Sequence, residues 1–111
     1  MIEISKFDLL IFDDKQINAI SKAMLLLNLL MQMSSEYNVV KVKKTELAEA
    51  LSKSTRTITS WILVLCGAGA IKYKYTGEYR INPKLYFKGS LEQYQETLLD
   101  WQSFKSDVKY K

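Results

Sequence analysis

From Ile17 onward, apolar residues recur at helical spacing. Ile17, Ile20, Met24, Leu27, Leu30 and Met31 fall on one face. Leu25, Leu26, Leu29 and Met33 widen it, leaving Ser21, Asn28, Gln32 and Ser35 as a polar line. Asp13 with Gln16 three positions on forms a capping box, so the pattern predicts one helix over residues 14–34. A helix this apolar must be covered on more than one side, and in a small protein a second subunit is expected to supply part of the cover. Upstream, "MIEISKFDLLIF" (1–12) holds only short apolar runs and is expected to form an arm or strand.

Downstream the period changes. "YNVVKV" (37–42) reads as a short strand, and "KTELAEAL" (44–51) as a short helix with Leu47, Ala48 and Leu51 inward. "SKS" (52–54) is a turn, with Ser54 placed to cap a helix over residues 55–66. In that helix Ile58, Ile62 and Leu65 form the buried row, with Trp61 beside them. "GAGA" (67–70) ends it. "IKYKY" (71–75), "TGE" (76–78) and "YRI" (79–81) read as a β-hairpin. Ser90 and Gln93 form a second capping box, opening a helix over residues 90–104. Its Leu91, Tyr94, Leu98 and Trp101 follow 3-4-3 spacing, a narrow seam suited to helix packing and expected to serve dimerisation.

The order helix, strand, helix, turn, helix, hairpin, helix is that of a winged helix-turn-helix. The expected class is α+β, mainly α, with additional N- and C-terminal helices around the winged unit. The 111 residues suit a single domain. Its expected parts are an N-terminal arm (1–12), a winged-helix core (13–89) and a C-terminal segment (90–111).

Composition narrows the chemistry. With no histidine and one cysteine, neither a Ser-His-Asp or Cys-His nucleophile nor a Cys/His zinc site can be assembled. Cys66 near the end of an apolar helix reads as a core filler and suits a reducing cytoplasm. Only two arginines, Arg56 and Arg80, are present. An enzyme, a metal and a cofactor are therefore not expected. The most apolar run, "AMLLLNLLMQM" (23–33), is too short for a membrane span and carries Asn28 and Gln32, and the start shows no signal-peptide pattern.

Charge is unevenly placed. Residues 41–88 hold ten of the sixteen Lys/Arg and three of the twelve Asp/Glu, a net of +7, between weakly acidic ends. A basic middle of this kind is the electrostatic footprint of a nucleic-acid surface. It coincides with "SKSTRTITSWI" (52–62), whose hydroxyls are poor in a helix interior but well suited to a helix start. In a helix-turn-helix the N-terminal residues of the second helix meet base edges in the major groove. The expected contact set there is Ser54, Thr55, Arg56, Thr57, Thr59 and Ser60, with Arg56 able to reach guanine O6 and N7. Lys43, Lys44, Lys53, Lys72, Lys74 and Arg80 are expected to meet phosphates from the wing and its flanks.

The stretch "KKTELAEALSKSTRTITSWILVLCGAGAIKYKYTGEYRINPKLYFKG" (43–89) resembles the winged-helix core of the RepL-type replication proteins of Firmicute plasmids. "YRINPKLYFKG" (79–89) is its most specific part, with an Asn-Pro pair after the last wing strand, then aromatics and a Lys-Gly end. The resemblance implies binding to a plasmid origin and replication initiation with host machinery. It puts Thr55, Arg56, Thr57 and Ser60 on the recognition helix and Lys74 and Arg80 on the wing. Lys43 departs from the pattern, standing where a Ser or Thr cap is usual. Pro83 itself reads as structural, since it restricts Asn82 to extended backbone and ends the strand. The alternatives are a winged-helix transcription regulator of a plasmid or phage and a protein-interaction module of a replication or segregation complex.

Overall fold

Asp13 opens the first helix as a reciprocal cap: its carboxylate accepts from Gln16 N at 2.8 Å, and Gln16 Oε1 accepts from Asp13 N at 2.9 Å. The computed structural model describes residues 2–108, and the last three residues of the expected C-terminal segment lie outside them. In chain order the elements are β1 (Glu3–Phe7), α1 (Asp14–Lys22), α2 (Met24–Met33), β2 (Val39–Lys41), α3 (Lys44–Leu51), α4 (Thr55–Ala68), β3 (Ile71–Lys74), β4 (Glu78–Ile81), β5 (Tyr86–Ser90) and α5 (Leu91–Ser103). The class is α+β, mainly α.

The single helix expected over 14–34 is two. It breaks at Ala23, whose φ of −113° and ψ of 21° leave the helical region. Neither Pro nor Gly marks the place. Just before it, the Ser21 hydroxyl donates to the Ile17 carbonyl at 2.9 Å, a bond that bends helices. Across the break, Ile20 of α1 and Leu26, Leu27 and Leu30 of α2 all enter one core. Packing here overrides local propensity.

That core is closed by Leu47 and Ala48 of α3, by Ile58, Ile62, Leu65 and Cys66 of α4, and by Ile71, Tyr73, Tyr79 and Ile81 of the hairpin. β2, β4 and β3 form an antiparallel sheet in that spatial order, with Val39 opposite Arg80 and Ile71 opposite Ile81. α4 runs two residues past its expected end. Gly67 lies inside the helix, and Gly69 caps it with φ +85°, while Ala70 N donates to Leu65 O at 3.0 Å.

The expected N-terminal arm is a strand. β1 pairs antiparallel with β5, from Glu3 opposite Ser90 to Phe7 opposite Tyr86, as a separate two-stranded sheet. β5 begins after a turn organised by Asn82, whose Nδ2 donates to Gly69 O and whose Oδ1 accepts from Lys84 N. The Asn82–Pro83 pair is thus committed inside the fold, with Pro83 buried. Asn38 ties the two sheets together. It is buried in the left-handed region (φ 58°), and its Nδ2 donates to Ile81 O at 3.0 Å and Tyr86 O at 2.7 Å.

Candidate nucleic-acid interface

α3 and α4 are joined by a three-residue turn in which Ser52 adopts a left-handed conformation (φ 54°). Ser54 then caps α4: its Oγ accepts from Thr57 N at 3.1 Å and donates to Thr57 Oγ1 at 3.1 Å. Thr59 Oγ1 donates back to Thr55 O at 2.9 Å. Three hydroxyls of the "STRTITS" stretch are therefore held within the helix itself. Thr55, Arg56 and Ser60 are exposed. Along α4 the exposed residues Arg56, Ser60, Leu63 and Gly67 recur at 4-3-4 spacing and form one stripe opposite the buried row. Leu63 is 52% exposed, and a Cβ built on Gly67 meets nothing within 4 Å. Leu63 is not among the contacts expected from the sequence, although its spacing from Arg56 and Ser60 carries the signal.

The N-terminus of α4 presents free backbone N–H groups and the positive end of the helix dipole, which favour an anion. Lys41, Lys43 and Lys53 are exposed beside it on β2, the α3 cap and the turn. Among the described residues, the ion pairs are those of Arg80 alone, so Lys41, Lys43, Lys53 and Arg56 are uncommitted cations. Lys41 was not among the expected contacts. It was read only as part of a strand, and its place across from Glu78 at the sheet edge is a tertiary fact.

The β3–β4 hairpin differs from expectation. Lys72, Lys74 and Arg80 do share one face of the hairpin, with Lys72 directly opposite Arg80. That face does not look outward, because α5 and the segment after it lie across it. Arg80 Nε donates to Asp100 at 2.8 Å, its Nη1 lies 3.6 Å from Glu78, and its guanidinium stacks 4.3 Å from the centre of the Phe104 ring. The Lys72 ammonium sits 4.6 Å over the Trp101 ring and donates to the Trp101 carbonyl. Burial pushes the Lys72 ammonium below its usual value, with Asp100 opposing the shift. Lys74 lies 4.8 Å from the Phe104 ring. Lys44 is half-buried, 5.4 Å over the Tyr73 ring. The hairpin tip is also pinned back, with Val42 N donating to Gly77 O at 3.0 Å.

The expected dimer seam is likewise engaged within the chain. Tyr94 meets Phe87 edge-on at 5.1 Å with Lys6 over its ring, Trp101 is beneath Lys72, and Leu98 is half-buried. The 3-4-3 pattern marks the inward side only in part: Tyr94, Leu98 and Trp101 are half-buried, but Leu91 is exposed, and the fully buried residue of α5 is Thr97, outside the pattern. Leu91 and Leu99 are the more exposed leucines of α5, at 39% and 66%.

Among the described residues no group of three or more His, Cys, Asp or Glu could hold a metal ion, and no helix is long and apolar enough to cross a membrane. The model of the Firmicute plasmid replication protein (RepL) family matches residues 15–111. The chain belongs to that family of plasmid replication proteins. No curated protein and no solved structure matches it.

Proposed function

We propose that the protein is a sequence-specific double-stranded DNA-binding protein that acts in the cytoplasm at a plasmid origin to initiate replication. In this reading α3 and α4 are a helix-turn-helix, β3 and β4 its wing, and α4 enters the major groove. The observation that carries it is the exposed, uncommitted stripe of α4 beginning at Arg56, flanked by Lys41, Lys43 and Lys53, in a chain of a plasmid replication family. Arg56 reads a guanine with two hydrogen bonds, Ser60 is short enough to let the helix approach, and Leu63 meets a thymine methyl. The three lysines hold phosphates, which carry no base identity. The protein acts by binding rather than catalysis, as a homodimer that recruits host replication proteins.

The test is to titrate Arg56→Ala and Lys53→Ala against the origin site and a scrambled duplex at one salt concentration. Arg56→Ala costs about 1–3 kcal/mol on the origin site and relaxes base choice there. Lys53→Ala weakens both duplexes by similar factors. Equal losses on both duplexes for Arg56→Ala reduce that residue to a phosphate clamp. A footprint over a promoter rather than over iterated origin sequence turns the reading into a transcription regulator. An affinity that ignores salt favours a protein-interaction module.

A further inference from the structure

The hairpin brings two like charges face to face, Lys72 opposite Arg80, with Lys74 on the same side. Such a pairing is unfavourable unless something anionic lies over it. In this chain the cover comes from its own C-terminal segment, residues 91–108. Asp100 supplies the carboxylate, Trp101 a carbonyl and a ring face, and Phe104 a second ring face. The same segment blunts the free edge of β3. Tyr73 N donates to Ser106 Oγ at 3.1 Å, Asp107 N donates to Tyr73 O at 2.8 Å, and Tyr75 N donates to Asp107 Oδ2 at 2.8 Å.

Resting on the DNA-binding reading above, we propose that this segment is an autoinhibitory strap, which competes in cis with DNA phosphates for the wing. What it offers the cations is what a DNA backbone offers: negative charge and acceptor oxygens. Its first half is held by Tyr94 on Phe87, whereas from Asp100 onward polar and cation–ring contacts hold it, with Val108 packed at the core edge. Thr97 is the buried residue of α5, and Leu99 stands 66% exposed. Phe104 is buried, but against Lys74 and Arg80 themselves. The Arg80–Asp100 pair is open to water on its acidic side, with the Asp100 side chain 34% and the Arg80 side chain 13% exposed, so solvent screening weakens it without abolishing it. Elements with few buried apolar contacts are the ones that open first. With the strap down, the protein meets DNA through α4 and its flanking lysines. With the strap displaced, three more cations join.

The experiment is a salt titration of the full chain on a labelled mixed-sequence duplex, followed by fluorescence anisotropy. The three phosphate-holding lysines give the wild type a slope of log affinity against log salt of about −2.7. Asp100→Asn/Phe104→Ala frees the wing and steepens the slope to about −5.4, with about tenfold tighter binding at low salt. Glu92→Gln is the control: it changes the charge of an exposed residue of the same helix equally, but uncovers nothing. If the double variant matches Glu92→Gln in slope and affinity, or binds more weakly, the strap is only packing and the proposal is overturned. Asp100→Asn alone keeps Phe104 in place and repeats the test should the double variant fail to fold by circular dichroism. Wild-type binding with unresponsive variants removes the strap alone, whereas absence of binding by every variant removes the DNA reading with it. Binding that appears only in the variants is the strongest support for a closed strap.

Discussion

Tyr79 packs its ring 4.8 Å from that of Tyr73 in the centre of the core, and its hydroxyl is the buried side-chain polar atom left without a hydrogen-bond partner among the described residues. Burying an unpaired hydroxyl costs free energy, whereas a phenyl ring of the same shape does not bear that cost. Burial also pushes the Tyr79 phenol well above its usual value, and it pushes the Cys66 thiol up from 9.0 to about 12, against a small opposing effect of Ser106. Both groups are neutral when protonated, so above pH about 9 the folded state holds protons that the unfolded chain gives up. The stability tied to those protons is complete below the ordinary thiol and phenol values, 9.0 and 10.0, and is lost as pH climbs past them. Urea denaturation at a series of pH values should therefore show stability falling above pH about 9. Tyr79→Phe should be neutral or stabilising at pH 7 and should make the alkaline fall shallower. A loss above about 1 kcal/mol at pH 7 from Tyr79→Phe would mean that the hydroxyl has a partner after all. Arg56 belongs to the same scale and to the opposite environment. Its exposure was legible in the sequence because the buried row begins two positions after it, at Ile58, roughly the opposite side of a helix, so its direction follows from helical period alone.

Two glycines show how an element sets the meaning of a residue type. Gly67 lies within α4, with open space around it, and helical glycine is unfavourable there for backbone entropy alone. Gly67→Ala should raise stability by about 1 kcal/mol, read as a higher melting temperature. Gly77 turns the hairpin at φ +92°, and a Cβ there comes within 2.9 Å of the Val42 carbonyl oxygen. Gly77→Ala should cost about 2–3 kcal/mol, combining left-handed strain with a backbone clash. If both alanines shift stability in the same direction, the contrast fails. Caps, turns and short-period elements of this kind were readable: Asp13, Ser54 and Ser90 all cap where the sequence puts them, and α3 has its expected ends. The elements that were not readable depend on partners far along the chain. β1 finds β5 far along the chain, from Phe7 to Tyr86 and from Glu3 to Ser90, and nothing local in "EISKF" names that partner. The break at Ala23 follows from what α1 and α2 must each pack against. The alternation of "IKYKY" gave Lys72 and Lys74 their common face but could not say that α5 covers it.

The whole molecule measures 43 × 29 × 23 Å, with a radius of gyration of 13.4 Å, close to the value of about 13 Å expected for a compact chain of this length. A helix-turn-helix dimer sets its two recognition helices one turn of DNA apart, about 34–36 Å. Two copies of a body with these dimensions, joined side by side, can meet that spacing, whereas one copy presents a single α4. The apolar surface available for joining keeps only Leu91 of the row expected from the sequence. Tyr94 and Trp101 are engaged within the chain, while Leu25 and Met33 of α2 and Leu91 and Leu99 of α5 remain exposed. A dimer should therefore depend on Leu99 and tolerate no charge there. Sedimentation at micromolar concentration should show the wild type as a dimer and Leu99→Glu as a monomer with an unchanged melting temperature, because Leu99 contributes little to the protomer's core. Trp101→Glu is the informative contrast: it takes the ring from beneath Lys72 and should lower the melting temperature whether or not a dimer forms. On DNA, half-sites separated by one helical turn should bind the wild type cooperatively, and half-sites displaced by half a turn should not, since the second α4 then faces the wrong side of the duplex. A wild type that sediments as a monomer, or that is indifferent to half-site spacing, removes the dimer and leaves each copy to find its own site.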